Sequence, residues 1–127
     1  TVSASPTLTR TKVNSTTAQS TSSASLVDLT GFTRTVANVT GKCICSYQTL
    51  VESNENYYTA WNFDGSAEPE LKAKGGGTFY EPITTMGMTD ELSGIVCKMQ
   101  YRVHDAAGTA TAQVDSSNGT AYWMEIS

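Results

Sequence analysis

Apolar side chains recur at every second position over residues 95–104, where Ile95, Cys97, Met99, Tyr101 and Val103 alternate with Val96, Lys98, Gln100, Arg102 and His104. Successive side chains of a strand point to opposite faces, so this pattern predicts a strand with one apolar and one mostly wet face. The same period of two appears at Tyr57, Thr59, Trp61 and Phe63, set against Tyr58, Ala60, Asn62 and Asp64, ahead of a turn at Asp64, Gly65 and Ser66. Residues 42–52 and 120–126 read as further strands, 25–31 and 32–37 as short ones on either side of Gly31, and 8–16 as an edge strand. The turn pairs Ala107-Gly108 and Asn118-Gly119 divide the C-terminal third into a predicted three-stranded meander. Residues 16–24 form a polar linker. Residues 68–90, with Gly75, Gly76, Gly77, Pro82 and Gly87, predict a long connection carrying at most short edge strands. No segment repeats apolar residues at i, i+3, i+4 and i+7, so little helix is expected.

Serine and threonine supply about a quarter of the 127 residues, and threonine suits a pleated, half-exposed strand better than a helix. The expected fold is therefore all-β, an antiparallel, jelly-roll-like β-sandwich over residues 20–127, preceded by a polar N-terminal arm with a possible edge strand over 1–19. A chain of this length has one core. Its net charge is −4 and its eight basic residues are scattered, which argues against a nucleic-acid partner. No run of about 18 apolar residues suggests a membrane span, and the first residues carry no signal-peptide pattern.

Candidate chemistry is sparse. Cys43 and Cys45 sit two apart on a predicted strand and share a face, too far apart to bond to each other without bending it. Three cysteines and one histidine, none at a C-x2-C or H-x3-H spacing, fall short of a structural zinc set, so neither metal nor cofactor is expected. The three thiols read as small apolar core residues, with a disulfide from Cys97 to Cys43 or Cys45 open if their strands are neighbours. His104, beside Asp105, reads as a turn or solvated residue. The carboxylate pairs Glu68/Glu70 and Asp90/Glu91 lie in a loop region, and no catalytic residue is assigned. Lys74 to Thr78 lacks the order of a phosphate loop. The sequons at Asn14, Asn38 and Asn118 are near chance in so threonine-rich a chain.

Aromatic residues offer the one binding pattern. Alternation lets only one of Tyr57 and Tyr58 face the core, so Tyr57, Tyr58 and Trp61, near Asn54, Asn56 and Asn62, are candidates for a glycan-binding surface. Leu8, Val13, Phe79 and Tyr80 are candidates for assembly contacts between subunits.

The segments STSSASLVDLTGFTRTV, GKCICSYQT, VCKMQYRV and AAGTATAQVDSSNGTAYWMEIS, in this order, resemble a C-terminal β-sandwich type of tailed-bacteriophage virion proteins, with Met124, Glu125 and Ile126 matching its ending. The resemblance covers residues 20–127. It implies a non-enzymatic, often trimeric protein on the virion surface: a capsid decoration or cement protein contacting the major capsid protein, or next a tail-fibre or receptor-binding component. The alternative is a soluble carbohydrate-binding module or adhesin using the aromatic set, for which saccharide should quench Trp61 or Trp123 fluorescence.

Overall fold

A computed structural model describes residues 7–36, 42–77, 79–89 and 94–126. The alternating segments form eleven strands: β1 (Leu8–Ser15), β2 (Gln19–Thr21), β3 (Val27–Thr35), β4 (Lys42–Ser53), β5 (Tyr57–Phe63), β6 (Ser66–Ala67), β7 (Leu71–Ala73), β8 (Glu81–Met88), β9 (Val96–Val103), β10 (Ala110–Ala112) and β11 (Gly119–Ile126). They pair antiparallel into two sheets that pack face to face, a jelly-roll-like β-sandwich as the sequence led one to expect. Among the described residues the helical content is one 3-10 turn at Val114–Ser116, and no helix is long and apolar enough to cross a membrane.

The first sheet is organised by the long strand β4. One of its edges pairs with β8, from Ile44↔Met88 to Val51↔Glu81. Its other edge pairs with β11 over Lys42 to Gln48 and then with β10 over Val51 to Ser53. Since β10 and β11 run the same way along β4, residues 110–126 form one strand interrupted at 113–118. The outer lane repeats this break, with β1 pairing β11 and β2 pairing β10. The second sheet runs β3, β9, β5, with β6 and β7 end to end along the far edge of β5.

Four sequence expectations change here. The C-terminal meander is absent: β9 belongs to the second sheet, and the chain crosses the sandwich at Ala107-Gly108 to reach β10 in the first. The two short strands around Gly31 are one strand, β3, whose register with β9 shifts between Asp28 and Thr33, where Gly31 has φ 92. Residues 68–90 hold a full eight-residue strand, β8, beyond the short β7. The polar linker of 16–24 holds the short strand β2, paired with β10, while the edge strand expected over 8–16 stands as β1, paired with β11 along its whole length from Leu8↔Ile126 to Ser15↔Gly119. The turn at Asp64 and Gly65 stands as read, both residues taking positive φ (51 and 89) to join β5 to β6.

The core lies between the sheets. β4 contributes Cys43, Cys45, Tyr47 and Val51, β11 contributes Ala121 and Trp123, and the second sheet answers with Leu29, Phe32, Tyr57, Trp61, Cys97, Met99, Tyr101 and Val103. The indoles of Trp61 and Trp123 meet edge to face at 5.8 Å across the middle, and Phe32 meets Tyr47 the same way at 4.9 Å. Gly87 makes room for this: a methyl group there would stand 3.3 Å from both the Trp61 indole and the Phe63 ring.

Candidate functional site

The interruption between β10 and β11 shapes the surface. Gln48 of β4 pairs with Thr120 and Val51 with Ala112, so Thr49 and Leu50 have no strand partner on that side. The intervening chain turns away through Gln113, Asp115 and Ser116, all with φ between 51 and 58. In place of a ladder bond, the Gln113 amide N–H donates to Thr49 Oγ1 at 3.0 Å. Gln113 is wholly buried and its side chain plugs the break: its carboxamide oxygen accepts from Tyr47 Oη, and Nε2 donates to Thr17 O at 2.9 Å.

Outside this plug the sheet is left concave. The groove has a volume of about 310 Å³ and is lined by Gln48, Thr49, Leu50, Pro82, Ile83, Thr84, Ser117, Asn118 and Thr120. Register explains the grouping, since Leu50 faces Pro82 and Gln48 faces Thr84 across β4 and β8. Its floor is apolar, from Leu50 and Pro82, and its rim consists of amides and hydroxyls without a charged side chain. Gln48, Thr84 and Asn118 are exposed, and Ser117 Oγ is buried with no hydrogen-bond partner, an unmet polar group on the wall. Tyr80, 48% exposed, lies two residues before Pro82.

The residues proposed from sequence fall elsewhere. Tyr57 and Trp61 are 2% and 1% exposed and point into the sandwich, so neither offers a ring face to a sugar. Trp123 is equally buried, which removes the physical basis for indole quenching by a bound saccharide. Tyr58 reaches the outer face of the second sheet, but the Arg102 guanidinium lies 3.8 Å over its ring and His104 stacks beside it, accepting or donating at 3.0 Å between Nδ1 and Tyr58 Oη. Arg102 is itself clamped by Glu70 at 2.5 Å, a bond that raises the guanidinium's pKa further. On the same face Gln100 donates to Asp28 at 2.8 Å, which holds that carboxyl below its ordinary value, with Lys98 adding to the effect. Of the assembly candidates, Leu8, Phe79 and Tyr80 are exposed and Val13 packs against the core. Asn38, Asp90 and Glu91 lie outside the described residues. Sequence reasoning missed the groove because its signal, a strand that skips two partners, exists only in the register.

It also missed a convergence of sulfur. Cys43, Cys45 and Cys97 are free thiols, all wholly buried, and their sulfurs lie within 4.8 Å of one another, with 3.7 Å between Cys43 and Cys45. The adjoining Cys45 and Cys97 thiols, with the Arg34 charge adding to them, draw the Cys43 pKa below the ordinary thiol value against the effect of burial. The same contact with Cys43 raises Cys97 and Cys45 above the ordinary thiol value, and burial adds to both. Among the described residues these three are the one group of cysteine, histidine or acidic side chains able to share an ion.

No family model and no curated protein matches the sequence. Among solved structures, the chain is similar to the CBM36-1 domain of a multidomain xylanase from the hindgut metagenome of Trinervitermes trinervoides, with 11% identity, 89% of this chain and 96% of that chain covered, and a TM-score of 0.48. It is also similar to a carbohydrate-binding module CBM36 in complex with calcium and xylotriose, with 12% identity, 92% and 99% coverage, and a TM-score of 0.45. This comparison corrects the phage-virion expectation, because the similar solved sandwiches are carbohydrate-binding modules. No comparison supports the decoration, cement and tail-fibre roles or the capsid and trimer partners. There is a physical reason for the misreading. The short motifs that carried it are core and pairing residues that any antiparallel sandwich needs: Glu125 of the M-E-I ending is buried opposite Cys43 and accepts from Arg34 at 3.1 Å.

Proposed function

We propose that this chain is a non-catalytic carbohydrate-binding domain that takes a neutral saccharide in the groove between β4, β8 and the 113–118 interruption. The observation that carries the reading is the groove's chemistry: an apolar floor of Leu50 and Pro82 beneath a rim of uncharged amides and hydroxyls. A sugar ring has the complementary make-up, a C–H face that desolvates against apolar carbon and an edge of hydroxyls that exchange hydrogen bonds with carboxamides. A charged ligand would find no counter-ion there, and its desolvation would go uncompensated. Rigidity also supports the reading, since the groove is built on paired strands and on a buried glutamine rather than on a long loop.

The test is titration of the isotopically labelled protein with neutral oligosaccharides, xylotriose among them, and with an acidic oligosaccharide as a contrast, followed by amide and carboxamide NMR shifts. Saturable shifts at Gln48, Thr84, Ser117 and Asn118 are expected for a neutral ligand. Replacing Gln48 and Asn118 by alanine should each weaken binding about 2- to 12-fold, the worth of one neutral hydrogen bond at about 0.5–1.5 kcal/mol. Shifts confined to the Tyr58 face, or none with any neutral sugar, would overturn the proposal.

A further inference from the structure

We infer that Cys43, Cys45 and Cys97 form a binding site for one soft, thiophilic metal ion of the cuprous type, held by three sulfurs at one end of the sandwich core. The site is assembled across the two sheets. β4 places Cys43 and Cys45 on its inner face near its start, and β9 places Cys97 opposite them as its second residue. Three sulfurs bonded to one ion at about 2.3 Å stand about 4 Å apart in a trigonal plane. The 3.7 Å between Cys43 and Cys45, with all three sulfurs inside 4.8 Å, meets that requirement without movement of either strand. Isolated core thiols have no reason to converge in this way, because an aliphatic side chain fills the same volume.

Ligand number and type select the ion. Among the described residues no carboxylate or imidazole joins the three sulfurs, so zinc lacks its usual fourth ligand and the hard, oxygen-seeking ions lack any. Thiolates select soft ions, of which Cu(I) accepts three-coordination. The surroundings fit an anionic metal–thiolate group. Arg34 pairs in register with Cys97, and its Nε–H is buried without a partner while its other arm binds Glu125. Trp123 pairs in register with Cys45, and its indole N–H is likewise buried and unpartnered. Both are buried donors without an acceptor, carried by residues paired with two of the three cysteines, and an outer layer of hydrogen bonds to thiolate sulfur is one way to satisfy them. Each thiol that ligates gives up its proton to solvent as the ion enters.

The inference is tested by anaerobic titration of the full chain with Cu(I) supplied as its acetonitrile complex, against a competing cuprous chelator, with ultraviolet sulfur-to-metal charge transfer and native mass spectrometry as readouts. One ion per chain is expected. Cys97→Val, which keeps an apolar side chain in the core, should weaken uptake by at least the 10- to 100-fold that even an outer-layer change costs. Near-ultraviolet circular dichroism would verify that the variant is folded, and Cys45→Val serves if it is not. Uptake no tighter in the natural chain than in the folded variant would overturn the inference, and so would tight binding of Zn2+ in place of Cu(I). Saccharide binding at the groove plays no part in either readout.

Discussion

Gln113 shows how much one residue can decide. A polar side chain with φ 51 in the middle of a strand is strained, yet here it lets β10 end and β11 begin while its carboxamide joins Tyr47, Thr17 and, through the backbone, Thr49. Gly119 is a companion requirement, since any side chain there would collide with the Gln113 carboxamide at 2.6 Å. Gln113→Leu fills similar volume but strands the Tyr47 hydroxyl and the Thr17 carbonyl. Each orphaned group costs about 1–3 kcal/mol, so chemical denaturation should show a loss of about 2–6 kcal/mol. The Arg34–Glu125 pair acts by similar logic: with Glu125 only 5% exposed at its side chain and Arg34 31%, Arg34→Met leaves a buried carboxylate without its partner. A destabilisation of about 2 kcal/mol is expected in the same assay, below the 3–5 kcal/mol of a fully buried pair because solvent reaches the arginine.

Among the elements, β8 departs furthest from what its sequence suggests. Proline and glycine in a threonine-rich stretch read as a connection, but Pro82 sits at the start of an edge strand, where a missing N–H is tolerated. The strand is held from inside. Thr85 hydrogen-bonds Thr59 at 2.5 Å, its carbonyl accepts from the Trp61 indole at 3.0 Å, and Tyr57 Oη donates to Glu81 at 3.2 Å. Its outward residues Met86 and Met88 are 65% and 49% exposed. Thr85→Val should therefore cost about 1–2 kcal/mol in thermal or chemical denaturation by leaving the Thr59 hydroxyl unpaired, whereas Met86→Thr should stay within about 0.5 kcal/mol. Equal effects at the two positions would mean that β8 is not anchored through its inner face.

At the scale of the whole molecule, the interior is rich in phenols, and this gives stability a defined pH dependence. Burial pushes Tyr47, Tyr57 and Tyr101 above the ordinary tyrosine value. A group whose folded pKa is raised contributes stability that is complete below its unfolded pKa, about 10, and is lost as pH rises toward the folded value. Each such phenol steepens the decline by about 1.4 kcal/mol per pH unit above pH 10. Tyr47→Phe should flatten that slope by this amount in denaturation curves taken at successive pH values, whatever it does to stability at neutral pH.

The sequence by itself determined the strands with a clean period of two. β4, β5, β9 and β11 lie within about two residues of where alternation puts them, and the sandwich class follows, because alternation is a local property of each strand's two faces. It also determined that Cys43 and Cys45 share a face. What it could not carry is partnership. Whether residues 109–126 turn back on themselves or continue along β4, whether Tyr57 and Trp61 meet solvent, and whether Cys97 reaches the other two thiols depend on which strands become neighbours and in what register. Those choices are made by the fit of two apolar faces around Trp61 and Trp123 across the whole chain, so the groove and the three-sulfur cluster came into existence only with the tertiary fold.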